Sequence, residues 1–378
     1  MRADRAQVLA FRLAAHDLAE RLDSPQAAAA SWAIQDSPPG SAQLALHARV
    51  AGLDPAALPH GLEERSLLLT YNARTATALL PAEEAASFNG GLLPPDEKAM
   101  HDLVAGALEA SDRPALEAVA LVSEAVSEAL DGRQLGRDEL HAALRERLPK
   151  DLLPWCPGCQ SHHVRRWLLV AVSLRGELCV AGRSGRQPSF ARTTQWLGAA
   201  YRPVDAEAAG SEVVRRFVHR YGPTTPDLLR RWTGLGRGHA RRLWSLVEAE
   251  LRPVEREGSP AAWLLEDDLP LLVAPPAARG VRLLPPGDPL LQAHDRDVLI
   301  EDQHRHRDVW RPIGGPGVVL AEGRPQGVWR ARKRGKRLGL TVEGFGRLSK
   351  AVRGGIETEA EAVAAHRGCA AAEVEFAV

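Results

Sequence analysis

Three stretches of the chain carry residues whose types and spacing could do chemistry. Arg330 to Arg337, RARKRGKR, packs six cations (Arg330, Arg332, Lys333, Arg334, Lys336 and Arg337) into eight residues. It lies between the β-like runs GVW and LGLTVE, so it straddles a predicted hairpin tip at Gly335. Charge runs commonly only solvate a surface, but a cationic hairpin tip in an otherwise neutral chain is also a good phosphate probe. His304, His306 and Arg307 on the preceding loop extend the patch. In a second stretch, WCPGCQSHHV sets Cys156, Cys159, His162 and His163 within eight residues. A CxxC knuckle followed by His resembles half a zinc site. A structural zinc usually draws its second ligand pair from a separate segment, no such pair is evident, and four ligands this close strain a tetrahedron. The expectation is therefore no metal: a turn holding a small apolar Cys pair, with His162 capping or pairing at a helix start. The third stretch, SWAIQDSPPGSAQ, holds Gln35 and Asp36 beside the rigid turn Pro38-Pro39-Gly40. Asp36 or Ser37 could simply cap the helix that begins near Gly40.

The elements that position these groups are clearest from Ser211 to Glu266. SEVVRRFVHRYG has a helical apolar stripe that stops at Gly222, and Pro223 breaks the chain. TTPDLLRRWTG opens a second helix with Thr225 as N-cap, Pro226 in its first turn and Gly234 at its end. HARRLWSLVEAE is a third, followed by two β-like runs around Glu257-Gly258, a hairpin signal. Three helices and a hairpin is the order of a winged helix-turn-helix, whose third helix can enter a DNA major groove. The same order runs through ALVSEAVSEALDG, LGRDELHAALRERLP, HHVRRWLLVAVSLRG and a hairpin turning at Arg183-Ser184-Gly185. A fainter copy uses QVLAFRLAAHDLAERL, SAQLALHARVAGL and the hairpin SLLLTYNARTATALLP. The copies share helix spacing more than residues, a structural repeat. After residue 275 the texture changes to short strands with Gly and Pro turns, read as a small β-barrel or curved sheet closed by a helix in TEAEAVAAHRG. The expected fold is thus α+β: three tandem winged helices (1–115 with a linker, 116–205 and 206–275), then a β-barrel with a C-terminal helix (276–378).

Composition narrows the function classes. Lys+Arg and Asp+Glu both number 48, so formal net charge is zero and any nucleic-acid affinity must come from local patches. Arg dominates the positive side, which suits forked phosphate contacts. No apolar run of about 18 residues exists to span a membrane, and charges throughout MRADRAQVLAFRLAAHDLAERLD predict no secretory signal. Four cysteines, two of them in one CxxC, do not suggest a disulfide framework. A cytoplasmic, nucleoid-associated monomer without a cofactor is expected, with double-stranded DNA as its partner.

Several stretches resemble the bacterial winged-helix DNA glycosylases of the azinomycin-resistance (AlkZ) type. They include VLAFRLAAHDL, IQDSPPGSAQLALHARV, ARTATALLPAEE, WCPGCQSHHV, RYGPTTPDLLRRWTGL, RLLPPGDPLL and GRPQGVWRARKRGKRLGLTVEGF, and they cover nearly the whole chain in the family's order. The resemblance implies three winged helices and a β-barrel wrapped around duplex DNA. It also implies removal of cationic alkylated purines, in some members from interstrand crosslinks without base flipping. The family's water-activating Gln-apolar-Gln (or Asp) motif matches Ala33-Ile34-Gln35, so the second Gln is kept, the first is lost, and Asp36 follows directly. Of its Arg-Gly-Thr-x-His strand Arg74 stays, as a DNA contact, while Thr75 and Ala78 replace Gly and His. Two functions follow: a glycosylase in which Gln35 orients water and Asp36 stabilises charge, or a catalytically silent DNA-binding protein or regulator.

Overall fold

A computed structural model describes residues 1–30, 33–71, 76–185, 187–198, 201–202, 204–256 and 261–377. The chain forms two compact units: Met1–Leu58, Phe217–Leu228 and Glu250–Val378 in the first, Pro59–Arg216 and Leu229–Ala249 in the second.

The first unit is built on a five-stranded sheet of Val281–Leu284, Gly317–Ala321, Arg324–Arg334, Arg337–Gly344 and Ala371–Ala377, in that order. The first four pair antiparallel, and the last joins Arg337–Gly344 in parallel. Side chains alternate between faces, as the pleat requires. Val318, Leu320 and Val328 pack with Val8, Phe11 and Leu13 of the N-terminal helix Arg5–Ala15. Val319, Ala321 and Trp329 face Ile356, Ala360 and Val363 of the C-terminal helix Lys350–His366, together with Leu44. This corrects the expected barrel: among the described residues the sheet is open, because the C-terminal helix covers one face and then delivers the last strand to the far edge. The helix also runs longer than TEAEAVAAHRG, starting at an N-cap where the Ser349 Oγ accepts from the Val352 N–H at 3.2 Å. Gly354-Gly355 disguises its first turns in the sequence. A Cβ on Gly355 would sit 2.6 Å from a Val281 methyl, so this helix reaches the sheet only with glycine there. A smaller sheet pairs Arg2–Ala3 parallel to Leu251–Arg256, which pairs antiparallel with Ala262–Leu265.

In the second unit, Thr77–Pro81, Leu67–Tyr71, Cys179–Ser184, Gln187–Ala191 and Leu135–Gly136 pair antiparallel in that order. Helices Ala115–Ala129, Arg137–Arg147 and Arg166–Leu174 precede the Cys179–Ala191 hairpin, in the expected order. Along the chain the same order recurs in helices Ala206–Tyr221, Pro226–Thr233 and Arg237–Ser245, followed by the first unit's strands Leu251–Arg256 and Ala262–Leu265. Thr225 Oγ1 accepts from the Leu228 N–H at 3.2 Å and Gly234 has φ +74°, as its cap and stop roles require. The Glu257-Gly258 turn lies outside the described residues.

Gly355→Val is expected to lower unfolding stability by about 1–3 kcal/mol through overpacking against Val281. Urea unfolding checks this, and an unchanged midpoint would contradict the close approach.

Candidate active site

Gln35 and Asp36 lie in the first unit: Gln35 ends the two-residue strand Ile34–Gln35, and Asp36 begins the loop that enters the Ser41–Arg49 helix. Asp36 is 4% exposed. Its Oδ1 accepts from the backbone N–H groups of Gly40 at 2.7 Å and Ala42 at 3.2 Å. The carboxylate therefore closes the helix N-terminus, where the helix dipole favours an anion. Ser41 Oγ donates to the Pro38 carbonyl at 2.7 Å and tightens the same turn.

Gln35 is half-buried, and its amide is held from two sides. Nε2 donates to the Ser37 carbonyl at 3.0 Å. Oε1 lies 3.5 Å from Gln292 Nε2, which makes its firmer bond to the Gly287 carbonyl at 3.0 Å. Gly287 has φ +75°, and a Cβ there would stand 2.7 Å from Gln35 Nε2. The positive φ of Gly287, with the Ser37 carbonyl also 3.0 Å from that Cβ position, favours glycine where the Pro285–Pro289 turn approaches the amide.

The other end of the helix fixes that turn. Arg49 Nη1 and Nη2 donate to Asp288 Oδ2 and Oδ1 at 2.8 and 2.9 Å, with side chains 3% and 0% exposed. Asp288 Oδ1 also accepts from the Leu290 N–H at 3.0 Å. Burial works against the Arg49 charge, but the Asp288 carboxylate outweighs it, so the Arg49 pKa lies above its ordinary value.

A polar cluster braces the outer side of the helix against the C-terminal helix. Gln43 Nε2 meets His366 Nδ1 at 2.8 Å, His47 Nε2 meets Glu359 Oε2 at 3.2 Å, and Arg21 donates to Glu359 Oε1 at 2.7 Å. Burial, reinforced by nearby His47, pushes the His366 pKa down to about 4. Arg367 follows on the same helix end. Burial lowers its pKa against the opposing pull of the Asp36 carboxylate.

The basic stretch forms the hairpin expected of it. Arg334 pairs directly with Arg337, Gly335 sits at the tip with φ +59°, and residues 330–337 are all exposed. Not every cation is equally available. Arg330 Nη1 donates to the Gly314 carbonyl at 2.7 Å, Arg337 pairs with Glu373, and Lys333 Nζ reaches the Arg367 and Gly368 carbonyls at 3.4 and 3.3 Å. Among the described residues, Arg332, Arg334 and Lys336 make no hydrogen bond or ion pair within the chain. Lys333, one pair below the hairpin tip, links the hairpin to the C-terminal helix end that carries Arg367. His306 is held by the Ile300 carbonyl at 2.7 Å rather than directed outward.

Arg74 and Thr75 lie outside the described residues. Ala33 is 4% exposed and Ala78 fully buried, so neither offers a polar group to the site. Sequence reasoning missed Gln292, Asp288 and Arg367. Gln292 and Gln35 stand 257 residues apart, and no spacing rule links them. The signal that pointed towards them was the rigid PPGDP turn, legible only as a turn.

A family model described as DNA glycosylase AlkZ-like matches residues 8–366. The chain belongs to the AlkZ-like DNA glycosylase family. The interstrand DNA cross-link repair glycosylase of Streptomyces sahachiroi is 29% identical over 224 residues, which cover 55% of this chain and 56% of that protein. The chain thus matches little more than half the length of that relative. The solved structure of Streptomyces sahachiroi DNA glycosylase AlkZ superposes with a TM-score of 0.76 at 24% identity, covering 100% of both chains, which establishes the shared fold. Like every helix described here, those of this unit are too short or too polar to cross a membrane.

Asp288→Ala leaves Arg49 buried without its partner and is expected to lower unfolding free energy by about 3–5 kcal/mol. Chemical denaturation measures it, and a loss below about 1 kcal/mol would show that the pair does not brace the loop.

Proposed function

We propose that this protein is a DNA glycosylase that hydrolyses the N-glycosidic bond of cationic alkylated purines, bulky N7-alkylguanine adducts or crosslinks, in double-stranded DNA. The observation that carries the reading is the Gln35 amide, locked on a braced loop in a member of this family. A relative whose name records cross-link repair supports the lesion class. Two helix-helix-helix-hairpin stretches, with a third set of helices before Leu67–Pro81, support three winged helices as the DNA-binding frame.

The chemistry fits a site this sparse. An N7-alkylated guanine already carries positive charge, and breaking the bond to C1′ sends the bonding pair into the base and neutralises it. Departure therefore needs little acid. Water adds to C1′ and its proton passes to solvent, since an amide accepts hydrogen bonds but does not take up a proton. Gln35 Oε1 orients that water, and Gln292 and Gly287 act as positioning residues for it. Asp36, buried and fixed by two backbone N–H groups, contributes a preorganised negative field towards the cationic sugar without becoming a base. Arg332, Arg334 and Lys336 grip phosphates at the hairpin tip, and Arg74 contacts the same duplex.

One observation favours a second reading, a catalytically silent DNA-binding protein or regulator. Ala33 stands where the family's first Gln would be, and it is buried and apolar.

Duplex DNA carrying an N7-alkylguanine monoadduct or crosslink separates the two, with abasic sites cleaved and resolved on a denaturing gel. Release above spontaneous depurination is expected, with Gln35→Ala slower by about tenfold or more at unchanged affinity. Tight binding with no release from either lesion would establish the silent reading. Asp36→Asn keeps a helix-capping side chain but removes the charge. It is expected to slow release while leaving the melting temperature nearly unchanged; the converse, lost stability at an unchanged rate, would reduce Asp36 to a cap.

The hairpin is tested separately. Replacing Arg332, Arg334 and Lys336 by Gln is expected to weaken duplex binding whatever its sequence, and to flatten the salt dependence by up to roughly three units of slope. An unchanged affinity and slope would leave the hairpin as solvated surface.

A further inference from the structure

The WCPGCQSHHV turn does not do what an apolar Cys pair would do. Trp155–Cys156 and Ser161–His162 form a two-stranded ribbon, closed where the Cys159 N–H donates to the Cys156 carbonyl at 3.2 Å. Cys156 is half-buried and Cys159 exposed, so neither sulfur fills a core. Both are free thiols. His162 turns away and holds the Leu153 carbonyl through Nδ1 at 2.8 Å. His163 turns inward: its ligand nitrogen and the two sulfurs all lie within 4.8 Å of one another.

The details around these three groups are those of metal ligands. His163 Nδ1 bonds the Val164 carbonyl at 2.8 Å, which places the proton on Nδ1 and leaves the Nε2 lone pair available. Nε2 is buried and has no hydrogen-bond partner. The missing member comes from a segment that sequence spacing could not connect. His141, on the Arg137–Arg147 helix, has its ring centroid 4.5 Å from that of His163, tilted by 43°, and its buried Nδ1 also lacks a partner. His141, Cys159 and His163 line one cleft with Tyr71 and Arg166. Two buried imidazole nitrogens left without partners beside two free thiols are costly for a fold unless something binds them.

We propose that Cys156, Cys159, His163 and His141 hold a zinc ion, which pins the cysteine turn to the Arg137–Arg147 helix. This reverses the sequence expectation of no metal, whose premise was that no ligand came from elsewhere in the chain. Zinc suits the set: thiolate and imidazole donors in a two-and-two ratio are a structural zinc combination. A tetrahedron with ordinary zinc bond lengths separates ligand atoms by about 3.3–3.8 Å, so the three clustered atoms need to close by only about 1 Å. Binding displaces both thiol protons to solvent, so affinity rises with pH.

The test uses the full-length reduced protein. Elemental analysis is expected to find one zinc per chain, released when the thiols are titrated with a mercurial. Cobalt(II) reconstitution of the stripped protein is expected to give intense visible d–d bands of a tetrahedral site and a thiolate charge-transfer band in the near ultraviolet. Cys156→Ser should roughly halve that charge-transfer intensity, as one of two thiolates is lost, or abolish the binding altogether. His141→Ala should keep the thiolate band but weaken cobalt binding by at least about tenfold. If Cys156→Ser does not fold, the wild-type cobalt spectrum and His141→Ala still decide. Reduced wild-type protein that binds neither metal, a Cys156–Cys159 disulfide found in its place, or His141→Ala binding cobalt as tightly as wild type would overturn the assignment.

Discussion

The buried ion pair between Arg49 and Asp288 is the constraint on which the candidate active site depends. It joins the last residue of the Ser41–Arg49 helix to the turn that approaches Gln35, through two hydrogen bonds with both side chains almost fully enclosed. A pair this buried gains little net stability over an apolar replacement, yet losing one partner is costly, so its effect is to specify geometry. Here the geometry is a closed circuit. Asp36 caps the start of the helix, Arg49 anchors its end, Asp288 fixes the turn, and Gly287 and Gln292 bring that turn back against the Gln35 amide. In the proposed reaction the Gln35 amide would need such support, because orienting a water molecule depends on position alone.

The same unit shows why a chain of zero net charge can still present a cationic surface. Many of its arginines are spent internally. Arg12 is 2% exposed and donates to Asp295 and to the Tyr221, Gly222 and Pro223 carbonyls, while Arg256 shares Asp295 and Arg220 pairs with Asp17. His16, buried among these arginines, has its pKa held well below the ordinary value, chiefly by burial and then by Arg220, and stays neutral. Carboxylates and guanidiniums cancel inside, whereas the hairpin at Gly335 keeps unpaired cations outside. Net charge is a sum over the chain, but phosphate affinity depends on where the uncancelled part stands.

Helix starts and stops were legible because they are local. Thr225, Gly234 and Gly335 each do what their residue type requires, and the β-like runs on either side of RARKRGKR were enough to place a hairpin. The barrel expectation failed because short strands with Gly turns do not reveal what covers their faces. Gly354-Gly355 hid the start of the covering helix, and AAEVEFA, the strand it delivers, was not read as an element of its own. The site was half legible. Gln35 and Asp36 could be picked out beside a rigid turn, but Asp288, Gln292 and Arg367 reach them from the far end of the chain, and His141 reaches the cysteine turn from the preceding helix. Such partners are set by tertiary packing, to which sequence spacing is blind.

On the proposed function, the Arg49–Asp288 circuit acts on the chemistry through Gln35. Single-turnover release of an N7-alkylated guanine from duplex DNA, measured for wild type, Gln35→Ala, Asp288→Asn and the double variant at a temperature where all four are folded, decides whether it does. The expected result is that each single change slows release and the double variant is no slower than Gln35→Ala alone, since a support has nothing to do once the supported group is gone. Losses that multiply in the double variant, or no release by the wild type, would contradict it.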